Sequence, residues 1–341
     1  MFNKLLSTYP GFDLKKMRYD GLLDTLNKSF RKKTQLVNKK NGWEYKKFCP
    51  VCSIVEGKFF KNSDNELIAK KYGTEFYKCK NCSVVYANRI PKNIMDVYGD
   101  LNYLKQAKQS YLSNVEYRKT RFGIERINLI KQNLDSRKNI KLLDIGCGTG
   151  WFLELAKENF SSVYGLEPAK ELAKNTEKRL NIKIFKNDMI KEDFKMKFDV
   201  ITMFDVIEHI PNPVECIEKS YDLLNNKGIL IIFTPNNDSY AMNYLNAKSC
   251  ILCPPDHLNI FNNKSLRKVS KYAGFKIKQY STNGSDIADI YMQLKQEDKK
   301  NQVADFLNKN SDKLQSMIDK SQSANHMRLI LKKNWNTEIK F

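Results

Sequence analysis

Lys141-Leu142-Leu143-Asp144-Ile145-Gly146-Cys147-Gly148-Thr149-Gly150-Trp151 is the stretch that decides the fold. An apolar run of strand type ends in a glycine-rich turn. A helical pattern follows at once, with Phe152, Leu153 and Leu155 as its apolar residues. Glycine lets a backbone bend tightly and lets a ligand approach with no Cβ in the way. The ligand of such a turn sits beyond the carboxyl end of the strand, at the helix N-terminus.

A dinucleotide site needs G-x-G-x-x-G, whose third glycine would fall at residue 151. Trp151 stands there, which disfavours a pyrophosphate. The run is instead D-x-G-x-G-x-G. A second apolar run, Ser162-Val163-Tyr164-Gly165-Leu166, ends in Glu167. A carboxylate at that offset accepts both hydroxyls of a ribose. Turn and carboxylate together describe a nucleoside held by its ribose, with no phosphate to cradle.

With these residues the chain resembles class I S-adenosylmethionine-dependent methyltransferases, over about Leu142 to Phe275. Phe198-Asp199-Val200-Ile201 and Phe204-Asp205-Val206-Ile207-Glu208-His209-Ile210-Pro211 resemble the branch that includes ubiquinone-biosynthesis and sugar O-methyltransferases. The resemblance implies S-adenosylmethionine as cofactor. It places Asp144, Gly146, Cys147, Gly148, Gly150, Glu167, Asp188, Phe204 and Asp205 around it, with Asp188 at the adenine amino group. Thr234-Pro235-Asn236-Asn237 matches the small-molecule branch. No Asn/Asp-Pro-Pro-Tyr/Phe follows the fourth strand and no Pro-Cys occurs, so by resemblance base-amine and cytosine C5 acceptors are disfavoured.

Cys49-Pro50-Val51-Cys52 and Cys79-Lys80-Asn81-Cys82 are two C-x-x-C knuckles flanking a strand-rich stretch. Four such thiolates close tetrahedrally on Zn²⁺. The small core between them hardly folds without the metal. A full set of four leaves no open position for water, so this zinc is expected to be structural. The chain also resembles zinc-ribbon methyltransferases here.

The 341 residues suffice for two domains and carry a formal net charge of +21. Basic surfaces attract phosphates, which keeps RNA open as an acceptor. Lysine is spread through almost every segment, which reads more simply as solvated faces; an anionic acceptor such as a nucleotide-linked sugar also suits it. No run approaches the ~18 apolar residues of a membrane span. Met1 to Phe12 lacks the long apolar core of a secretory signal, so the expected compartment is the cytoplasm. Paired thiols without a disulfide framework agree.

Four segments are expected: a basic helical segment at 1–47, a zinc ribbon at 48–92, a helical linker covering the cofactor at 93–136, and the catalytic domain at 137–341. Alternating strands (141–145, 162–166, 183–186, 198–203, 228–233) and helices (151–159, 169–180, 213–225, 264–273) imply an α/β, doubly wound parallel sheet. A sixth strand follows Gly274-Phe275. Residues 286–322 read as a helical insertion, and 326–331 as a strand. The resemblance makes that last strand antiparallel, between the fifth and sixth of a seven-stranded sheet. Tyr98, Tyr103 and Tyr111 are candidates to line the pocket.

Methyl transfer from a sulfonium is an in-line displacement that requires the acceptor aligned and, for a hydroxyl, its proton removed. His209, with Glu208 beside it, and His257, with Asp256 beside it, follow the fourth and fifth strands. Imidazole titrates near neutrality and suits a general base. Glu208 and His209 are alternatively ligands for a divalent ion, as in some relatives. His326, in the last strand, is expected to be unrelated. Cys250-Ile251-Leu252-Cys253 has no second knuckle and reads as a buried loop. The leading reading is O-methylation of a sugar or similar polar precursor. RNA methylation, and a non-catalytic zinc-ribbon binding protein, are the alternatives.

Overall fold

Residues 21–98, 115–134 and 139–333 are described by the structure, a computed structural model. The chain begins with α1 (Leu22–Lys39), which buries Phe30, Thr34 and Val37, one helical stripe. Next come β1 (Trp43–Tyr45), the short α2 (Cys52–Val55), β2 (Glu66–Lys71) and β3 (Thr74–Lys78). Tyr72 and Gly73 both take positive φ between β2 and β3, as a tight two-residue hairpin demands. β4 (Val85–Ala87), β5 (Arg89–Pro91) and α3 (Met95–Tyr98) complete the module.

A π-helical turn (Lys119–Gly123) leads into α4 (Ile124–Asn133). The alternating core then runs β6 (Lys141–Ile145), α5 (Trp151–Asn159), β7 (Ser162–Leu166), α6 (Lys170–Leu180), β8 (Ile184–Phe185) and β9 (Phe198–Phe204). It continues through α7 (Pro213–Leu223), β10 (Leu224–Pro235), α8 (Tyr240–Leu245), β11 (Asn259–Ile260), α9 (Asn263–Tyr272) and β12 (Phe275–Thr282). The insertion expected as one helical block is three helices: α10 (Asp286–Glu297), α11 (Gln302–Lys309) and α12 (Ser311–Lys320). Asn301 ends the first connection by accepting the Ala304 N–H at 2.9 Å, a side-chain cap that starts α11. β13 (His326–Lys333) closes the fold.

Seven strands lie in the order β12-β13-β10-β9-β6-β7-β8. β13 is antiparallel to both neighbours, as the resemblance implies, while β6 to β10 pair in parallel. Ile229 to Pro235 of β10 are buried without a break, the pattern of a central strand covered on both faces. Strand order reverses between β6 and β9. Ligands of such sheets bind at that switch point, outside the carboxyl ends.

The cysteine module is not a separate bead. β2, β3 and β4 form a sheet whose fourth strand is β11, from beyond β10. Ala87 donates its N–H to Leu258 O at 2.9 Å, and Asn237 Nδ2 donates to Ser83 O at 3.0 Å. The four knuckle cysteines share one buried cluster with Leu143, Met203 and Phe261. No described helix is long and apolar enough to cross a membrane.

Candidate active site

The turn after β6 is built from three glycines in left-handed backbone: φ is +68° at Gly146, +53° at Gly148 and +73° at Gly150. A Cβ on Gly146 would meet Val206 Cγ2 at 2.6 Å, and one on Gly150 would meet Thr176 Cγ2 at 2.5 Å. A Cβ on Gly148 would meet no protein atom within 4 Å. Gly146 and Gly150 are thus required by packing, and Gly148 between them borders open space.

Glu167 stands at the end of β7, against that turn. Its Oε2 accepts the Gly148 N–H at 3.0 Å and its Oε1 the Ala169 N–H at 2.9 Å. Burial pushes its carboxyl above the usual range, and the two backbone donors oppose this. Asp144, inside β6, accepts the Thr202 hydroxyl at 2.7 Å. Burial raises its carboxyl to about 7, against that hydrogen bond and the charge of Arg126. Cys147, expected near the cofactor, is buried in the apolar cluster with Leu142, Leu153 and Ile184. Asp188 accepts the Ile190 N–H at 2.8 Å, so one oxygen serves a turn.

Phe204 ends β9 in an aromatic cluster, with ring centroids 5.0 Å from Phe152 and 4.9 Å from Phe233. Asp205 follows in left-handed backbone, φ +60°. Two of its neighbours escaped sequence reasoning. Arg126 of α4 lies 4.0 Å over the Phe204 ring and 4.9 Å from that of Trp151, 3.8 Å from Asp205. It is buried, and its Nε has no hydrogen-bond partner. His326 Nε2 is 2.6 Å from Asp205 Oδ1. The expectation that His326 is unrelated to the site is therefore corrected. β13 runs antiparallel, so its first residue lies at the same edge as the last residues of β9 and β10. No motif marks either residue; Arg126 hides within an amphipathic helix.

Glu208, His209 and His257 come together, one ligating atom from each within 4.8 Å of the others. The imidazoles lie edge to face, centroids 4.9 Å apart. His209 Nδ1 is 2.8 Å from Asp256 O, and the Tyr98 hydroxyl approaches the same nitrogen at 3.0 Å. His257 Nδ1 is 2.7 Å from Ile251 O. Glu208 Oε2 accepts the Thr234 hydroxyl at 2.9 Å, while Oε1 is buried with no partner. Burial pushes Glu208 well above the carboxylate range, with Asp205 adding to it. Burial likewise lowers His209, and takes His257 down to about 3 with help from His209. Lys33 of α1 donates to Asp256 at 2.6 Å, so the N-terminal helix reaches this loop. Tyr103 and Tyr111 lie outside the described residues.

The knuckles bring Cys49 Sγ to 3.6 Å from Cys82 Sγ, and Cys52 Sγ to 3.7 Å from Cys79 Sγ. A tetrahedron with metal–sulfur arms of ~2.3 Å has edges of ~3.8 Å, so the four thiols fit one zinc. Cys253 is buried; Cys250 is partly exposed.

Residues 116–280 match the family model of a methyltransferase domain. The chain carries a class I S-adenosylmethionine-dependent methyltransferase domain. This methyltransferase is 29% identical over 209 residues to the ubiquinone biosynthesis O-methyltransferase of Pelagibacter ubique, covering 54% of the chain and 86% of that relative. It is 36% identical over 119 residues to the mitochondrial ubiquinone biosynthesis O-methyltransferase of Saccharomyces cerevisiae, covering 32% of the chain and 38% of the relative. Apart from the Pelagibacter protein, the chain spans about half or less of the length of these curated relatives. Among solved structures, it is similar to an amino pentose methyltransferase from Micromonospora echinaspora: 25% identity, 32% of this chain, 48% of that one, TM-score 0.30. It is also similar to a methyltransferase from Archaeoglobus fulgidus: 21% identity, 69% and 100%, TM-score 0.46.

Proposed function

We propose that this methyltransferase transfers the methyl group of S-adenosylmethionine to a hydroxyl of a sugar or similar polar small molecule. One observation carries the cofactor half: Glu167 held against the side-chain-free bend at Gly148 by a 3.0 Å hydrogen bond. A carboxylate so fixed has acceptor capacity left for the two ribose hydroxyls. Asp188 serves the adenine. Asp144, Asp205 and the backbone of Gly146 to Gly150 border the methionine portion, and Arg126 offers its carboxylate a buried guanidinium.

The acceptor half rests on Glu208, His209 and His257. Burial lowers both imidazoles, which favours their neutral, proton-accepting form. A neutral imidazole accepts the hydroxyl proton as oxygen attacks the methyl carbon. Aligning oxygen, carbon and sulfur supplies the rest. The ubiquinone-biosynthesis relatives, which are O-methyltransferases by name, support a hydroxyl acceptor. Cys49, Cys52, Cys79 and Cys82 hold a structural zinc. This zinc does no chemistry: it fixes the module that carries β4, and through β11 the loop that carries His257.

The test is an incubation of metabolite extract with the enzyme and methyl-labelled S-adenosylmethionine, followed by mass spectrometry. The expected product is a small polar molecule with one labelled O-methyl group. Label found only in RNA would replace this reading.

A further inference from the structure

Arg121, Arg126 and Arg328 form a row of nearly buried guanidiniums, of which the cofactor accounts for Arg126 alone. Arg121 lies on the π-helical turn, Arg126 on α4 and Arg328 on β13. Arg126 and Arg328 both lie over the Phe233 ring, at 5.5 and 4.9 Å. The side chains of Arg121 and Arg328 are only 11% and 6% exposed.

These two share one carboxylate, Glu125. Arg328 occupies it: Nη1 donates to Oε1, and Nη2 lies 3.4 Å from Oε2. Arg328 Nη2 also donates to Asn283 Oδ1 at 2.7 Å. Arg121 Nη1 stays 3.6 Å from Glu125 Oε2, beyond hydrogen-bond reach. Asp319 of α12 is engaged elsewhere, accepting the Gly284 N–H and Gln315 Nε2 at 3.1 and 3.0 Å. Left over are Arg121 Nε and Nη1 and Arg328 Nε, all buried and without a hydrogen-bond partner. A buried donor with no acceptor is costly, and more so on a charged group. The π-helical turn that carries Arg121 is itself a rare geometry, found mostly at functional sites.

Solvent reaches this row beside Arg126, at Asp205 and His326, whose side chains are half and partly exposed. Asp205 does not fill the leftover donors, since His326 Nε2 lies 2.6 Å from its Oδ1. Asp205 also starts the loop that carries Glu208 and His209, so the row and the histidines border one space. We infer that Arg121 and Arg328 hold an anionic group of the methyl acceptor, a phosphate or a carboxylate. Guanidinium forks fit either anion. The inference rests on the function proposed above and narrows it: the polar acceptor carries a negative charge set apart from its reacting hydroxyl.

The experiment uses the full chain, saturated with S-adenosylmethionine so that Arg126 is occupied, at fixed low ionic strength. Inorganic phosphate and acetate are titrated separately by calorimetry. One equivalent is expected to bind, and the tighter anion names the group as phosphate or carboxylate. Arg121→Gln, checked for folding by thermal melting, should bind it roughly 10-fold or more weakly, as loss of a charge-assisted hydrogen bond implies. Its affinity for S-adenosylmethionine should be unchanged. Arg121→Lys keeps the charge without the fork and should fall between the two. Binding of neither anion to the wild type, with water alone on these donors, would overturn the site. So would equal binding by both folded variants. The same titrations without S-adenosylmethionine separate the two proposals: a chain that binds the anion through Arg121 but never binds the cofactor overturns the proposed function and leaves the anion site standing.

Discussion

Gly148 N–H lies 3.0 Å from Glu167 Oε2, joining the two segments proposed to hold the cofactor. The carboxylate is nearly buried and held at its other oxygen by Ala169 N–H. It cannot rotate away without losing both donors. The carboxylate is therefore pre-positioned, and binding at the proposed ribose site would cost little ordering.

Gly148→Ala separates folding from binding. The new methyl meets no protein atom, so stability should fall only by the left-handed backbone cost, about 1–2 kcal/mol. S-adenosylmethionine affinity should drop more steeply, because the methyl enters the space the ligand needs. Gly146→Ala should instead melt the domain at markedly lower temperature, since its Cβ collides with Val206. Thermal melts and calorimetry on both variants check this contrast.

Asp144 gives a pH signature. Burial raises its carboxyl from the ordinary 3.8 to about 7 in the folded state. Between these values the folded chain binds more protons than the unfolded one, so the contribution of Asp144 to stability falls as pH rises from about 4 to about 7. Asp144→Asn removes that dependence. The variant's stability relative to wild type should climb across this window and level off above it, by roughly 2–4 kcal/mol in all. Denaturant titrations of the cofactor-free protein at several pH values measure it. Cofactor binding should weaken in the same variant.

Removal of the zinc proposed for the four cysteines should not unfold a ribbon alone. The cysteines share a buried cluster with Leu143 and Met203, and β4 pairs with β11. Cys82→Ser, or strong chelation, should lower the melting temperature of the whole protein by roughly 10 °C or more, in one transition. Calorimetric scans showing two independent transitions, with the larger unmoved, would contradict this coupling.

The sheet was legible in the sequence because its signals are local. Leu142 to Ile145 and Ile229 to Phe233 are apolar runs bounded by glycine or proline, and Gly146 to Gly150 leave few alternatives to a bend. The C-x-x-C spacing announced the thiol cluster for the same reason. What stayed hidden depends on pairings across long separations. β11 is two residues, Asn259 and Ile260, too short for any period to show, yet it stitches module to domain. His326 reaches Asp205 only because β13 is antiparallel. His209 and His257, ring centroids 4.9 Å apart, meet through the loops after β9 and β10, and a contact between two loops leaves no trace in residue order.

Isothermal titration of the purified chain with S-adenosylmethionine, wild type against Glu167→Ala, tests the central claim most directly. One equivalent should bind the wild type, and the variant should bind roughly 100-fold or more weakly, since two hydrogen bonds to a charged group are lost. No binding to the folded wild type, or equal affinity in the variant, would contradict the account.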